Sequence, residues 1–285
     1  MRLTVAKANE FYLQACELEL QAFKPGNVSI YADGHGMVVD DFRISAKVSA
    51  PFLCDPELTL GERIFHAVRA TRDAVGCNTN LGILLLCAPM IEAAYRTLKS
   101  SSFRGELADV LRNTSIEDAE WVFRAISLAS PGGLGEVEEQ DVKTKPSLSL
   151  GAAMEMASQR DRIAFQYVTN FKDVFEFGVL RYNLGLSRWG KMDWAAVAVY
   201  TGLLSHFADS HIERKYGDRY SELVASKIST LDAALSDSSK PELLATQFYE
   251  LDQEFKLKGI NPGTTADLTV ATILAVLLID YLEAV

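Results

Sequence analysis

The chain is poor in the features that announce most function classes. Its 285 residues include four cysteines, and Cys16, Cys54, Cys77 and Cys87 are scattered without a Cys-x-x-Cys pair. A disulfide framework and a thiolate zinc site are therefore not expected, and the thiols read as reduced groups of a cytoplasmic protein. Of the four histidines, His206 and His211 stand five apart and leave different faces of a helix, a poor spacing for a transition metal. No Lys/Arg stripe relieves the formal charge of −10, so nucleic acid is not an expected partner. No apolar run is long enough to suggest a membrane span. The most apolar stretch, residues 268–279, is broken by Thr269 and Thr272 and closed by Asp280 and Glu283, short of the roughly 20 residues that a span needs. It is expected to be a core helix, with no membrane as a partner. The first twenty residues are amphipathic and acidic rather than signal-like. No segment alternates for long enough to form a strand, and neither a repeat nor a linker is present.

What remains is helical periodicity with ordinary globular composition, 48% hydrophobic and 23% charged. The expected fold is all-α: a single-domain, multi-helix globular bundle over residues 1–285, with a pocket formed by helix termini and loops. Helices are expected near residues 3–22, 40–50, 58–75, 79–98, 150–186, 194–215, 219–235 and 242–257, with a short helical piece within 100–113, a helix capped by Thr114 or Ser115, and one more starting at the cap 264–267. The two helices over 219–257 read as structural, with solvated charges. A homodimer is compatible with the sequence but not required by it.

The chemistry collects where those helices end. Residues 76–89, GCNTNLGILLLCAP, run from a polar mouth into an apolar helix. Asn78, Thr79 and Asn80 supply amide and hydroxyl groups, and Gly82 allows close approach. Unpaired N–H groups at such a terminus can hold a phosphate, a carboxylate or the oxygen shell of a metal, although a plain capped core helix is the commoner cause of such a stretch. Lys24, Gly26 and Asn27 lie in the turn KPGNVS, and Glu19 precedes Lys24 by about one helical turn, a carboxylate and an ammonium flanking a rigid Pro-Gly bend. Gly132 and Gly133 belong to a glycine-rich loop of the kind whose backbone amides close on phosphates; the alternative is a mobile acidic surface loop. Asp161 and Arg162 sit in the tetrad QRDR. Asp209, with Glu213 four residues on, suits Mg²⁺ better than the histidines do, and Arg214 stands beside it. Asp267 closes the turn PGTTAD.

Six motifs in order, KPGNVS, NTNLG, PGGLG, QRDRIAFQY, DSHIERKYG and PGTTADL, resemble the triphosphoribosyl-dephospho-CoA synthase family over nearly the whole chain. The resemblance implies an all-α, ATP-dependent transferase. In that reaction the 2′-hydroxyl of dephospho-CoA attacks the ribose C1′ of ATP, adenine leaves, and Mg²⁺ assists the triphosphate. It further implies Lys24, Gly26, Asn27, Asn78, Thr79, Asn80, Gly82, Gly132 and Gly133 around the phosphates, with Arg162, Arg214 and Asp267 completing the nucleotide site. Glu19, Asp161 and Asp209 are then the candidates for base or metal ligand. One departure stands out: members acting with citrate lyase carry His-Lys-Gly after the Asn-Thr, where this chain has Asn80, Leu81 and Gly82. That leaves open a divergent branch with another ribosyl acceptor, such as one from one-carbon cofactor biosynthesis. Phosphoryl transfer or hydrolysis in the same pocket, and a non-catalytic nucleotide-binding helical protein, are the remaining alternatives.

Overall fold

The computed structural model describes residues 2–98, 101–130 and 145–284. These contain fourteen α-helices and no β-strand beyond two isolated bridges, so the protein is all-α. The chain forms two compact units that interleave in sequence: Met1–Gln14, Asp41–Lys172 and Leu274–Val285 make the first, Ala15–Asp40 and Asp173–Ile273 the second.

The first unit takes the start of α1 (Val5–Gln21), then α2 (Val39–Leu53), α3 (Leu60–Val75), α4 (Leu81–Arg96), α5 (Phe103–Arg112), α6 (Ile116–Ala129), α7 (Leu150–Ala157), α8 (Arg162–Val168) and the end of α14 (Gly263–Glu283). α3 opens with a capping box between Thr59 and Glu62 and closes on Gly76 at φ +74, where a residue lacking Cβ adopts the left-handed conformation without strain. α6 opens with a second box, Ser115 with Asp118. Asp118 also accepts the Gly61 N–H at 2.8 Å, tying the two helix starts together. A Cβ on Gly61 would lie 2.7 Å from the Asp118 backbone, so glycine is what permits this approach. α4 is buried all round from Leu81 to Ile91, as its unbroken apolar run requires.

The second unit holds the rest of α1, a π-helical turn Asp173–Gly178, α9 (Val179–Trp189), α10 (Met192–His206), α11 (Ser210–Tyr216), α12 (Ser221–Asp237), a 3₁₀ turn Pro241–Leu244, α13 (Ala245–Leu257) and the start of α14. α10 is buried from Ala195 to Leu204. Asp232 of α12 takes the Arg181 guanidinium of α9 and the Thr201 hydroxyl of α10, the latter at 2.7 Å.

Several expectations are corrected. The helix expected over 150–186 breaks into α7, α8, the π turn and α9, because Asp161 caps a fresh helix start and Asn170 and Phe171 bend the chain at φ +52 and +57. The helix expected over 194–215 breaks at Phe207, because Asp209 caps α11. Pro51 lies inside α2 rather than after it. Asp232 and Asp252, on helices expected to carry only solvated charge, are buried. The apolar stretch at 268–279 belongs to a helix long and apolar enough to cross a membrane, and 67% of its most apolar window is buried in the protein.

Candidate functional site

Two sets of the candidate residues assemble, one within each unit. The second unit's set centres on the turn after α1. Glu19, 4% exposed, and Lys24, fully buried, form a short ion pair, and the ammonium also donates to Asn27 Oδ1 at 3.2 Å. The Asn27 amide donates to Asn261 Oδ1 at 2.7 Å. The turn's backbone is held from three more sides. Tyr200 donates its hydroxyl to the Pro25 carbonyl at 2.8 Å, Gly26 donates its N–H to Asp252 at 2.9 Å, and His35 Nε2 meets the Gly26 carbonyl at 2.7 Å. Gly26 sits at φ +85, where a Cβ would come within 2.9 Å of the Ile260 carbonyl oxygen, so no other residue fits without displacing the chain.

Burying a charge pair is expensive unless both partners are satisfied, and such pairs concentrate where function demands them. Burial pushes the Glu19 carboxyl up and the Lys24 ammonium down, while their mutual attraction opposes both shifts. The two proton affinities therefore shift towards one another. Asp267 lies close enough to act electrostatically on Lys24, and Glu19, Asp209 and Asp252 all act on the Tyr200 hydroxyl.

Asp209 does two jobs at once. Its Oδ1 accepts the N–H groups of His211 and Ile212 at 2.9 and 3.1 Å, capping α11, and its Oδ2 accepts the N–H and hydroxyl of Thr265 at 2.7 and 2.8 Å, capping α14. The expected Asp209/Glu213 pairing on one helical face is replaced by this cap, with Glu213 donating its N–H to the Asp209 carbonyl. Arg214 is half-buried nearby and its charge lowers Asp209, against the larger upward push of burial.

His211 is pushed down to about 4 by burial and by Arg214, Lys215 and His35. Its folded-state value lies below the ordinary 6.5, so the unfolded chain binds its proton more readily. The stability it contributes is complete above about pH 6.5 and disappears as pH falls towards 4, roughly 3 kcal/mol for this one group. The melting temperature is expected to drop across pH 6.5 to 4, and a His211→Gln variant to show a flatter profile over that range.

In the first unit the 78–80 loop turns inward. Asn78 Oδ1 caps α4 by accepting the Leu81 N–H at 3.1 Å. Thr79 donates to Ser45 Oγ at 2.6 Å, and Asn80, 5% exposed, donates to Ser49 Oγ at 3.3 Å, where the Tyr12 hydroxyl also bonds. Gly82 is buried in the first turn of α4. Asp161 caps α8 through the N–H groups of Ile163 and Ala164, and Arg162 lies 4.2 Å from the Phe165 ring centroid. Gly132 and Gly133 lie outside the described residues.

A family model described as CitG, ATP:dephospho-CoA triphosphoribosyl transferase, matches residues 5–284. The chain belongs to this family. It is a transferase-family enzyme, and ATP is the co-substrate that the family implies. The chain is also similar to a candidate triphosphoribosyl-dephospho-CoA synthase from Archaeoglobus fulgidus, known by crystal structure: 26% identity, a TM-score of 0.63, covering 82% of this chain and 96% of that one. No curated protein matches it significantly.

Mg²⁺ needs oxygen ligands with free lone pairs. Asp209 already accepts four hydrogen bonds and does not fit as a ligand. Among the described residues no group of three or more His, Cys, Asp or Glu side chains is placed to hold a metal. The cluster around the Lys24 turn also contains residues that the sequence did not single out: Asp252, Tyr200, His35 and Asn261. Tyr200, Asp252 and Asn261 are remote in sequence from the turn they hold, whereas His35 follows Gly26 by nine residues; none of the four carries a local sequence signal for its contact.

Proposed function

We propose that this transferase moves the triphosphoribosyl group of ATP onto the 2′-hydroxyl of dephospho-CoA and releases adenine. The C1′–N9 bond of ATP breaks, a C1′–O2′ bond forms, and the acceptor's proton ends on adenine or in solvent. The observation that carries this reading, beside the family match, is the buried Glu19–Lys24 pair in a turn fixed by Tyr200, His35, Asp252 and Asn261. Cleaving an N-glycosidic bond develops positive charge at C1′ and negative charge on the leaving base, so it calls for a carboxylate and a proton donor held rigidly. Glu19 is the proposed proton acceptor and Lys24 its electrostatic partner. Arg214, Lys215 and Lys256 of the second unit supply positive field for the triphosphate, and Mg²⁺ enters as the counter-ion that ATP carries.

A second reading, with another ribosyl acceptor, is favoured by one observation: Asn80 and Leu81, at the positions of the His-Lys pair carried by members acting with citrate lyase, are both buried, Asn80 against Ser49, and neither presents charge to a polyanion. Incubation with ATP and candidate acceptors, followed by chromatography, tests both readings. Adenine is expected only when ATP and dephospho-CoA are both present. Adenine formed with a different acceptor alone supports the second reading, and ADP without adenine overturns both.

A further inference from the structure

The first unit contains an open groove of about 810 Å³ lined by α3 and α6 and by Lys145 and Pro146. Its size suits a cofactor-sized ligand. The wall is two-sided in character. Phe65, Phe123, Leu128 and Pro146 make it apolar, whereas the charged lining groups are Arg69, Arg124 and Lys145 against Asp73 and Glu120, an excess of one positive charge. Lys145 is already paired with Glu120 at 2.7 Å, but neither arginine has a carboxylate partner among the described ion pairs. Both guanidinium groups are instead held against rings: Arg124 lies 4.4 Å from the Phe65 centroid and 4.1 Å from that of Trp121, and Arg69 lies 5.8 Å from Phe65. Stacking of this kind fixes the planar groups while leaving their N–H edges available for phosphate oxygens.

An apolar trough with two oriented guanidinium groups calls for an amphiphilic anion: a diphosphate carrying a long, weakly polar arm. ATP lacks the arm, whereas dephospho-CoA has both parts, its diphosphate and its pantetheine. The placement along the chain agrees, because α3, which supplies Phe65, Arg69 and Asp73, runs at its C-terminus into Gly76 and the 78–80 loop. We infer that this α3/α6 groove binds the pantetheine-diphosphate part of dephospho-CoA, with Arg69 and Arg124 on the diphosphate and Phe123, Leu128 and Pro146 along the arm. This assignment rests on the proposed acceptor and adds to it where the acceptor binds.

The test compares the wild-type protein with an Arg69→Ala/Arg124→Ala variant by calorimetric titration of dephospho-CoA and, separately, of ATP. Both arginines are exposed, so thermal melting serves as the control for folding, and the single Arg69→Ala variant provides a second arm that leaves the Arg124 stack intact. The expected result is a dissociation constant for dephospho-CoA raised about tenfold or more in the double variant, with that for ATP changed less than about twofold. Unchanged dephospho-CoA binding, or an equal loss for ATP, overturns the inference. Failure of the proposed reaction reads differently. A wild-type protein that binds dephospho-CoA with this arginine dependence but releases no adenine leaves the groove assignment standing, whereas one that does not bind dephospho-CoA at all removes both.

Discussion

Replacing Lys24 by methionine is expected to abolish transfer and to destabilise the protein by about 3–5 kcal/mol, the usual consequence of stranding a buried charge. Lys24 is wholly enclosed, and its removal leaves Glu19, itself 4% exposed, without its counter-charge and Asn27 without the donor to its Oδ1. The protein must then either protonate Glu19 or open the turn to water. A double variant, Glu19→Leu/Lys24→Met, removes both charges and is expected to recover most of the lost stability, since replacing an intact buried pair by apolar groups is often neutral. It is not expected to recover activity. Denaturant unfolding and adenine release measured on the two single variants and the double variant form a cycle that separates stability from chemistry. If the pair were only structural, the double variant would regain transfer along with stability, and Glu19 would lose its assignment as proton acceptor.

Asp209→Ala is expected to destabilise the protein by about 2–4 kcal/mol, because it removes two helix caps worth about 1 kcal/mol each and leaves the buried Ile212 and Thr265 donors unsatisfied. Asp209→Asn keeps one accepting oxygen, so it can preserve one of the two caps, and roughly half the loss is expected. Activity should follow stability in both variants. The competing role, Asp209 as a Mg²⁺ ligand, makes the opposite prediction: an Asn variant with an unchanged melting temperature whose activity fails and returns at raised Mg²⁺. Melting curves and Mg²⁺ titrations of the two variants decide between them. The observed bonding favours the cap, since all four hydrogen bonds already lie on the two carboxylate oxygens.

Much of the fold could be read from local signals. The apolar run after Asn80 and the Ser/Thr cap before α6 mark helices by mechanisms that act within a few residues. The breaks at 157–162 and 207–210 were harder, because periodicity continues across them. What ends each helix is a side chain, Asp161 or Asp209, that can equally be read as a functional carboxylate. The same ambiguity runs through the candidate site. Glu19 and Lys24, five apart, were recognisable as a pair, but their burial depends on Tyr200, Asp252 and Asn261, contributed from more than 170 residues away. The Asn-Thr-Asn loop was legible as a polar mouth. Its inward hydrogen bonds to Ser45 and Ser49 were not, because neither serine has a sequence signature. The α3/α6 groove was invisible for a related reason: its arginines look like solvated helix charges until their stacking on Phe65 and Trp121 is seen.

In the proposed reaction a ribosyl group carrying its intact triphosphate, and not a phosphoryl group, leaves ATP. The most direct measurement uses ATP labelled separately in the ribose and in the γ-phosphate, incubated with the enzyme and dephospho-CoA, with the label followed into the product. Both labels are expected to arrive together, in equal amounts and matched by free adenine. A product carrying the γ-phosphate label without the ribose label would contradict the proposed reaction.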